Sequence, residues 1–471
     1  MAKATQRTRS RRPDGSKLAA VVADRMLLDI AEEGWAEGEV VGSESELLDR
    51  YGVSRAVFRE AVRLLEHLQV VRMRRGPGGG LMVLEPTVDS VTDAVSVYLF
   101  YVGAEIDEVI EARLALEEVV AELAPGRLDE RDIETLRALV EQERSGAHRD
   151  HRELHNLLAS VTGNPALSFF VDLLNGVTLL YLPPNVRLSR ETLSESAIAH
   201  QAIVDAILRV EPSLARNRMR KHLLAEADLL RDLGPTRRRL ADLPDLVGRS
   251  DKRAEQTARQ IFREVAGDGW PVGTLLGSEA DLMERYDVSR AVLREAVRVL
   301  EHHQVARMRR GPGGGLFVAE PGVEAVTEAV ALQIDRLGIG PEHLREVRAA
   351  VELVVLDLVM ARLDDAGVAR LEAALAVERA TPPSDFALVG HDLHVVLATV
   401  AGNRVMELLV HVLVRLARLQ IVAPPDGDDE NPTQHVIQVH QSIVEAILAR
   451  DVELARHRMR RHLDALLRWG R

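Results

Sequence analysis

The amino-acid sequence predicts a mainly α protein laid out as two tandem units, each a small helical domain with a two-stranded β-wing followed by an all-α bundle. Three observations predict it. The first is an internal repeat. From Gly42 to Pro86 and from Gly277 to Pro321 the chain matches itself at 34 of 45 positions with a constant offset of 235, the mark of a duplicated unit. The second is the order of signals inside that repeat: a capped short helix, a turn, a longer amphipathic helix and a glycine-rich hairpin. The third is the sequence downstream, where one apolar helical pattern succeeds another and no segment alternates as a half-buried strand would.

Composition sets the frame for these elements. At 471 residues the chain exceeds the size at which a single core stops growing, so several domains are expected. With no cysteine, disulfides, thiolate catalysis and cysteine-ligated zinc are all excluded. No apolar run reaches about 18 residues, and the basic N-terminus MAKATQRTRSRRPDGSK has no apolar segment behind it. Neither a membrane span nor a signal peptide is predicted, and the expected location is the cytoplasm. The net charge of −13 would disfavour a polyanionic partner if it were spread evenly. Screening over about 8 Å makes local basic clusters decisive instead.

The boundaries follow from punctuation. Residues 1–17 read as a basic tail, 18–86 as the first small domain and 93–235 as the first bundle. Residues 236–250, within LGPTRRRLADLPDLVGRSDKR, read as a linker, followed by the second small domain at 251–321 and the second bundle at 328–471. Pro86 and Pro321 end the extended segments of the two small domains.

In the small domain, Ser43 followed by Glu46 has the spacing of a capping box and starts the helix SELLDRY. Gly52 supplies the turn, and Ser54 caps the next helix. There Phe58, Ala61, Val62 and Leu65 form one apolar face, with Arg55, Arg59 and Arg63 in a row beside it. VVRMRR and LMVLEP then read as strands joined by GPGGG, with Arg72, Arg74 and Arg75 leading into glycines that permit close backbone approach. This is the pattern of a winged helix-turn-helix, whose second helix enters a major groove while the wing follows the backbone. GPGGG lacks the lysine and the hydroxyl of a phosphate-binding loop and precedes no helix, which argues against nucleotide binding.

The stretch GSESELLDRYGVSRAVFREAVRLLE…RRGPGGGLMV resembles the DNA-binding domain of the GntR superfamily, FadR subfamily, in both copies. The resemblance implies that Ser54, Arg55, Arg59, Arg75 and Gly76 meet operator DNA, with Ser289, Arg290, Arg294, Arg310 and Gly311 in the second copy, and the arginines that lead into each wing add Arg72 and Arg307 as candidates. The family usually has proline where Gly42 and Gly277 stand, and Thr-Pro where Ala56-Val57 and Ala291-Val292 stand. These departures bear on which operator is read.

The bundle segments, from IDEVIEARLALEEVVAELA to SLARNRMRKHLLAEADLL, resemble the FCD ligand-sensing domain that follows the winged helix in that subfamily. His155, His200 and His222 in the first copy correspond to His394, His440 and His462 in the second, with 22 residues between second and third in each. Persistence on three helices of otherwise diverged domains points to a shared site, and imidazoles in a bundle core suit zinc, nickel, iron or manganese. The resemblance implies an aspartate one turn before the first histidine. Here that position holds His151 in copy one and Gly390 in copy two. Asp150 and Asp392 lie at spacings that point away from that face, while His151, or His391 less directly, offers a replacement ligand. Metal binding is better supported in copy one.

Arg113 and Arg348 are candidates for an effector carboxylate, since the guanidinium pairs with one bidentately and the family often binds small organic acids. A surface salt bridge to a neighbouring glutamate is the competing explanation.

Together these features predict a transcriptional regulator, expected to be a repressor, in which two fused protomers form an intramolecular pseudo-dimer. Its partners would be double-stranded operator DNA with two-fold or repeated half-sites and a small-molecule effector, with further homodimerisation open. Of the two sensors, the first is expected to be live and the second structural. A ligand-independent DNA-architectural protein is the other class the pattern allows. A metal-dependent hydrolase is disfavoured by the lack of HExxH and of a carboxylate placed as general base.

Overall fold

The structure, a computed structural model, describes residues 15–33, 38–67, 71–74, 76, 79–84, 88–146, 152–183, 186, 188–237, 247, 252–382, 392–420 and 432–466. The first unit runs α1 (Gly15–Glu32), β1 (Val40–Gly42), α2 (Glu44–Tyr51), α3 (Arg55–His67), β2 (Val71–Arg74) and β3 (Gly80–Val83). Its bundle follows as α4 (Val88–Val102), α5 (Ile106–Leu123), α6 (Glu130–Arg144), α7 (Arg152–Val161), α8 (Pro165–Leu179), α9 (Arg190–Leu208) and α10 (Pro212–Leu233). The second unit repeats the order with α11 (Arg253–Gly267), β4 (Leu275–Gly277), α12 (Glu279–Arg285), α13 (Arg290–His302), β5 (Ala306–Arg309) and β6 (Gly315–Val318). Its bundle is α14 (Val323–Arg336), α15 (Pro341–Arg362), α16 (Asp365–Ala380), α17 (Asp392–Ala401), α18 (Arg404–Gln420), α19 (Pro432–Leu448) and α20 (Val452–Leu466). Among the described residues no helix is long and apolar enough to cross a membrane.

The capping expected from sequence forms in both small domains. Ser43 accepts from the Glu46 N–H while Glu46 accepts from the Ser43 N–H, and Ser278 and Asp281 repeat the exchange. The turn after each short helix needs a left-handed residue. Gly52 supplies it at φ 61°, while Asp287 takes φ 48°, a conformation that a short polar side chain tolerates.

Each wing has one strand more than the sequence pattern predicts. The sheets are antiparallel in the order β1-β3-β2 and β4-β6-β5, with Val71 opposite Val83 and Arg74 opposite Gly80. The register shifts between Val40 and Gly42, which brings the Gly42 carbonyl onto Gly80. A Cβ on Gly80 would overlap that oxygen, and Gly315 stands in the same relation to Gly277. The last glycine of GPGGG therefore serves the wing's own packing. The first helix also begins at Gly15, inside the stretch that composition alone marks as a tail.

The two units cross. Leu332 of α14 packs into the core of the first small domain, and Arg336 donates to the Leu84 carbonyl. Tyr101, offset from Arg336 by the same 235 residues, reaches from α4 to Glu320 at 3.5 Å and lies against Trp270 of the second small domain. Each small domain thus leans on the first bundle helix of the other unit.

Below this crossing the bundles share one apolar core, in which Leu99, Phe170 and Leu174 meet Val330, Val405 and Leu409. A polar pair flanks it on both sides. Arg127 donates to Glu346 at 2.6 Å and Asn164 Nδ2 donates to the same carboxylate at 2.8 Å. Arg362 donates to Glu111 at 2.6 Å and Asn403 Nδ2 donates to it at 2.9 Å. Asn164 and Asn403 are buried, and each also accepts from its own helix: Asn164 Oδ1 from the Ala166 N–H, Asn403 Oδ1 from the Met406 N–H.

Removing both carboxylates, by Glu111→Ala with Glu346→Ala, takes from each buried asparagine amide one of its two acceptors, leaving the carbonyls of His343 and Glu108, and breaks both arginine pairs. The double variant is expected to lose on the order of 3 kcal/mol against urea, each single variant about half, read from the denaturation midpoints.

Candidate functional site

Two kinds of site emerge, one on the small domains and one inside the bundles. On the small domains, α3 buries Phe58, Ala61, Val62 and Leu65 and turns Arg55 and Arg59 outward, their side chains 66% and 62% exposed. Glu44, in the first turn of α2, gathers both arginines at 3.3 and 3.0 Å. Glu279 does the same for Arg290 and Arg294 at 3.5 and 3.0 Å. Ser54 and Ser289 accept from the N–H groups of Val57 and Val292, which fixes where each helix begins and so where the arginines stand. Arg72 and Arg307 are exposed on β2 and β5, and Arg310 and Gly311 are exposed at the tip of the second wing. Gly76 and Gly311 take φ 104° and 100°, so both wing tips turn through backbone that favours glycine. Arg75 lies outside the described residues.

Inside the first bundle, α7, α9 and α10 bring His155, His200 and His222 together. Their Nε2 atoms converge, with His222 3.2 Å from His155 and 3.1 Å from His200. The second bundle repeats this on α17, α19 and α20, with His462 3.2 Å from both His394 and His440. The opposite ring nitrogens are held by carboxylates: His155 Nδ1 pairs with Glu117 of α5, and His200 Nδ1 with Glu143 of α6 at 2.8 Å. Glu352 and Glu378 hold His394 and His440 in the same way. A proton on Nδ1 shared with carboxylate leaves the Nε2 lone pair facing the centre, the tautomer a metal ligand needs.

This donor set fits a divalent metal. Three lone pairs converging in a buried space repel unless a cation lies between them. With metal–nitrogen bonds of about 2.0–2.1 Å, nitrogens on a tetrahedral or octahedral centre stand ~2.9–3.4 Å apart, which brackets the spacing found here. Asp392 is not part of the set, since its carboxylate accepts from Arg418 at 2.7 Å and is half exposed. His151, Asp150, Gly390 and His391 lie outside the described residues.

Arg113 and Arg348 stand behind the first histidine of each set. Arg113 is 2% exposed and donates from Nε to Glu117 at 2.6 Å and from Nη1 to both oxygens of Glu226 at 2.9 Å. Arg348 donates from Nε to Glu352 at 2.6 Å. Arg113–Glu117 is a fully buried pair and Arg348–Glu352 a largely buried one, so the surface salt bridge considered from sequence does not describe them. Burial alone would push the Glu117 carboxyl up, but Arg113 and His155 outweigh it and hold it down to about 2. Glu352 is held at about 2 in the same way, by His394 and Arg348. Burial lowers the pKa of His394 against the opposing pull of Glu352, which favours the neutral ring.

The comparisons with known proteins identify the two kinds of domain. The family "FCD domain" matches residues 108–225 and again 343–465, together more than half of the chain. "Bacterial regulatory proteins, gntR family" matches residues 18–80. The chain belongs to the GntR regulators that carry FCD domains. As a GntR regulator it binds DNA through its winged helix and carries ligand-sensing FCD domains, and its relatives are transcriptional regulators rather than enzymes. It is 27% identical to the Exu regulon transcriptional regulator of Escherichia coli K12 over 44% of this chain and 80% of that protein. It is 28% identical to the transcriptional repressor NanR of Cronobacter sakazakii over 46% of this chain and 87% of that protein. Each relative is thus about as long as one of the two units here. The solved GntR of Streptococcus agalactiae is 25% identical and covers 46% of this chain and 99% of its own, with a TM-score of 0.36.

Sequence reasoning found the histidines and arginines of this regulator but missed Glu117, Glu143, Glu352, Glu378 and Glu226. A signal was present for four of them. Glu117 and Glu143 recur as Glu352 and Glu378 at the 235 offset.

Arg55→Ala combined with Arg290→Ala should weaken operator binding by ~1–3 kcal/mol per base-contacting arginine, measured by fluorescence anisotropy on a selected operator. The metal-free protein should also lose stability toward acid with a defined sign. His394, kept neutral, contributes above its unfolded value of about 6.5, and Glu117 and Glu352 contribute above about 4.3, losing that contribution as pH falls toward 2. Glu117→Gln with Glu352→Gln should flatten the lower part of the curve of urea midpoint against pH.

Proposed function

We propose that this chain is an operator-binding repressor in which two fused units do the work of two subunits. The observation that carries this reading is the crossed, two-fold arrangement of the units, because it has the form of an isologous contact between identical chains, made here within one. Residues equivalent at a near-constant offset exchange the same bonds in both directions, as Arg127 with Glu346 and Arg362 with Glu111 do. An operator with two-fold half-sites then meets two matched reading heads whose effective concentration is set by the tether. Helices α3 and α13 touch, and each spans about 20 Å at 1.5 Å per residue, so their N-terminal arginines lie no more than about 50 Å apart. That is compatible with half-sites one turn of DNA apart, about 34 Å, or closer.

The residues proposed to meet DNA are Ser54, Arg55, Arg59, Arg72, Arg75 and Gly76, with Ser289, Arg290, Arg294, Arg307, Arg310 and Gly311. The three histidines of each bundle are the proposed ligands of a divalent transition metal, which would offer a Lewis-acidic point for an anionic effector. The carboxylates behind the rings set their tautomer and aim. A small organic acid is the proposed effector class, and the repressor named NanR supports repression as the sign of control.

Light scattering tests the assembly. The free protein should have the mass of one chain, 52.0 kDa, and an operator duplex should bind one chain. Two chains on one duplex would refute the pseudo-dimer as the working particle. Elemental analysis after loading with zinc or nickel should find two ions per chain, falling to none in His200→Ala with His440→Ala. Full occupancy in that variant would remove the histidines as ligands.

A further inference from the structure

Among the described residues the two sites share their three histidines, the two carboxylates behind them and the arginine, and they differ in that arginine's second partner. In the first, the carboxylate of Glu226 lies on Arg113, with both oxygens 2.9 Å from Nη1. Glu226 follows His222 by one helical turn. In the second site the residue one turn after His462 is Leu466, which has no carboxylate to offer. Arg348 Nη2 is buried and has no hydrogen-bond partner among the described residues. The side chain is 14% exposed, against 2% for Arg113.

A buried guanidinium edge with no acceptor is a costly group to leave unpaired, and the natural partner for it is a carboxylate. The first site contains that partner within its own chain. We propose that the second FCD domain is the one that takes a carboxylate ligand, on Arg348, and that Glu226 is a built-in carboxylate that holds the first domain in its occupied form. This rests on the reading of the bundles as sensors of organic acids, and it reverses the sequence expectation that the first sensor is live. The duplicated regulator then has two reading heads but one switch. Its response to effector is a simple saturation curve, without cooperativity between sensors.

The test counts ligands on the full-length, metal-loaded chain, by calorimetry with acetate, lactate, malate and citrate as probes. One acid of this set should bind the unaltered chain at one per chain. Glu226→Leu, which gives the first site the residue found in the second, should raise the stoichiometry to two. Leu466→Glu, which gives the second site its own carboxylate, should abolish binding and raise the melting temperature, so that loss of binding is not loss of fold. Two ligands on the unaltered chain, one ligand on the Glu226→Leu chain, binding retained by Leu466→Glu, or no binding to either of the first two chains would each overturn the assignment. Metal content and operator affinity are measured alongside. If those fail in the unaltered chain, the proposed function fails, and if they hold while the ligand count is wrong, only the inequivalence of the sensors fails.

Discussion

The architecture depends on two asparagines that work in both units at once. Asn164 and Asn403 cap the first turn of their own helices, α8 and α18, through the side-chain oxygen, and donate through the nitrogen to a glutamate of the other unit. Because the amide is buried, neither half of it can be left unpaired cheaply, so helix start and unit contact are locked to one geometry. An arginine joins the same carboxylate on each side, and the two pairs flank the apolar face between α4, α8, α14 and α18. The crossing of the small domains onto α4 and α14 follows from that docking. The two winged helices are thereby held in a fixed relation, where a tether alone would leave them to diffuse.

A second chain of interactions links the interior of each bundle to its histidines. Arginine, glutamate and imidazole follow one another from Arg113 through Glu117 to His155, and from Arg348 through Glu352 to His394. Burying any one of these alone would be expensive. Together they neutralise the charge and leave the imidazole with a single free direction, toward the other two rings. The same logic makes the arginine sensitive to its last neighbour. Where Glu226 completes the set, the guanidinium is closed off; in the second set an edge of Arg348 has no acceptor among the described residues.

Much of this was legible in the sequence, for reasons that differ by element. The helix-turn-helix was readable because its signals are local: Ser43 with Glu46, Gly52, and the stripe of Phe58, Ala61, Val62 and Leu65 each act within a few residues. The histidines were readable because duplication displayed them twice. The third strand of each wing was not, since Val40–Gly42 is too short to show alternation and is a strand only because β3 lies beside it. The wing glycines were assigned to the approach of another molecule, whereas Gly80 is needed by the carbonyl of Gly42, a neighbour distant in sequence.

By itself, then, the sequence determined the repeat, the order of the helices, the caps, the exposed arginine rows and the identity of the six histidines, because propensity, periodicity and capping act over one or two turns. Only the tertiary structure decided which glutamates stand behind the rings, that each small domain rests on the other unit, and that the two arginines differ in their last partner. Those are contacts between residues far apart in the chain: Arg113 meets Glu226 from α5 to α10, and Arg127 meets Glu346 from one unit to the other. No local pattern encodes such a meeting, since it exists only when the packing of several helices brings two side chains to one buried place.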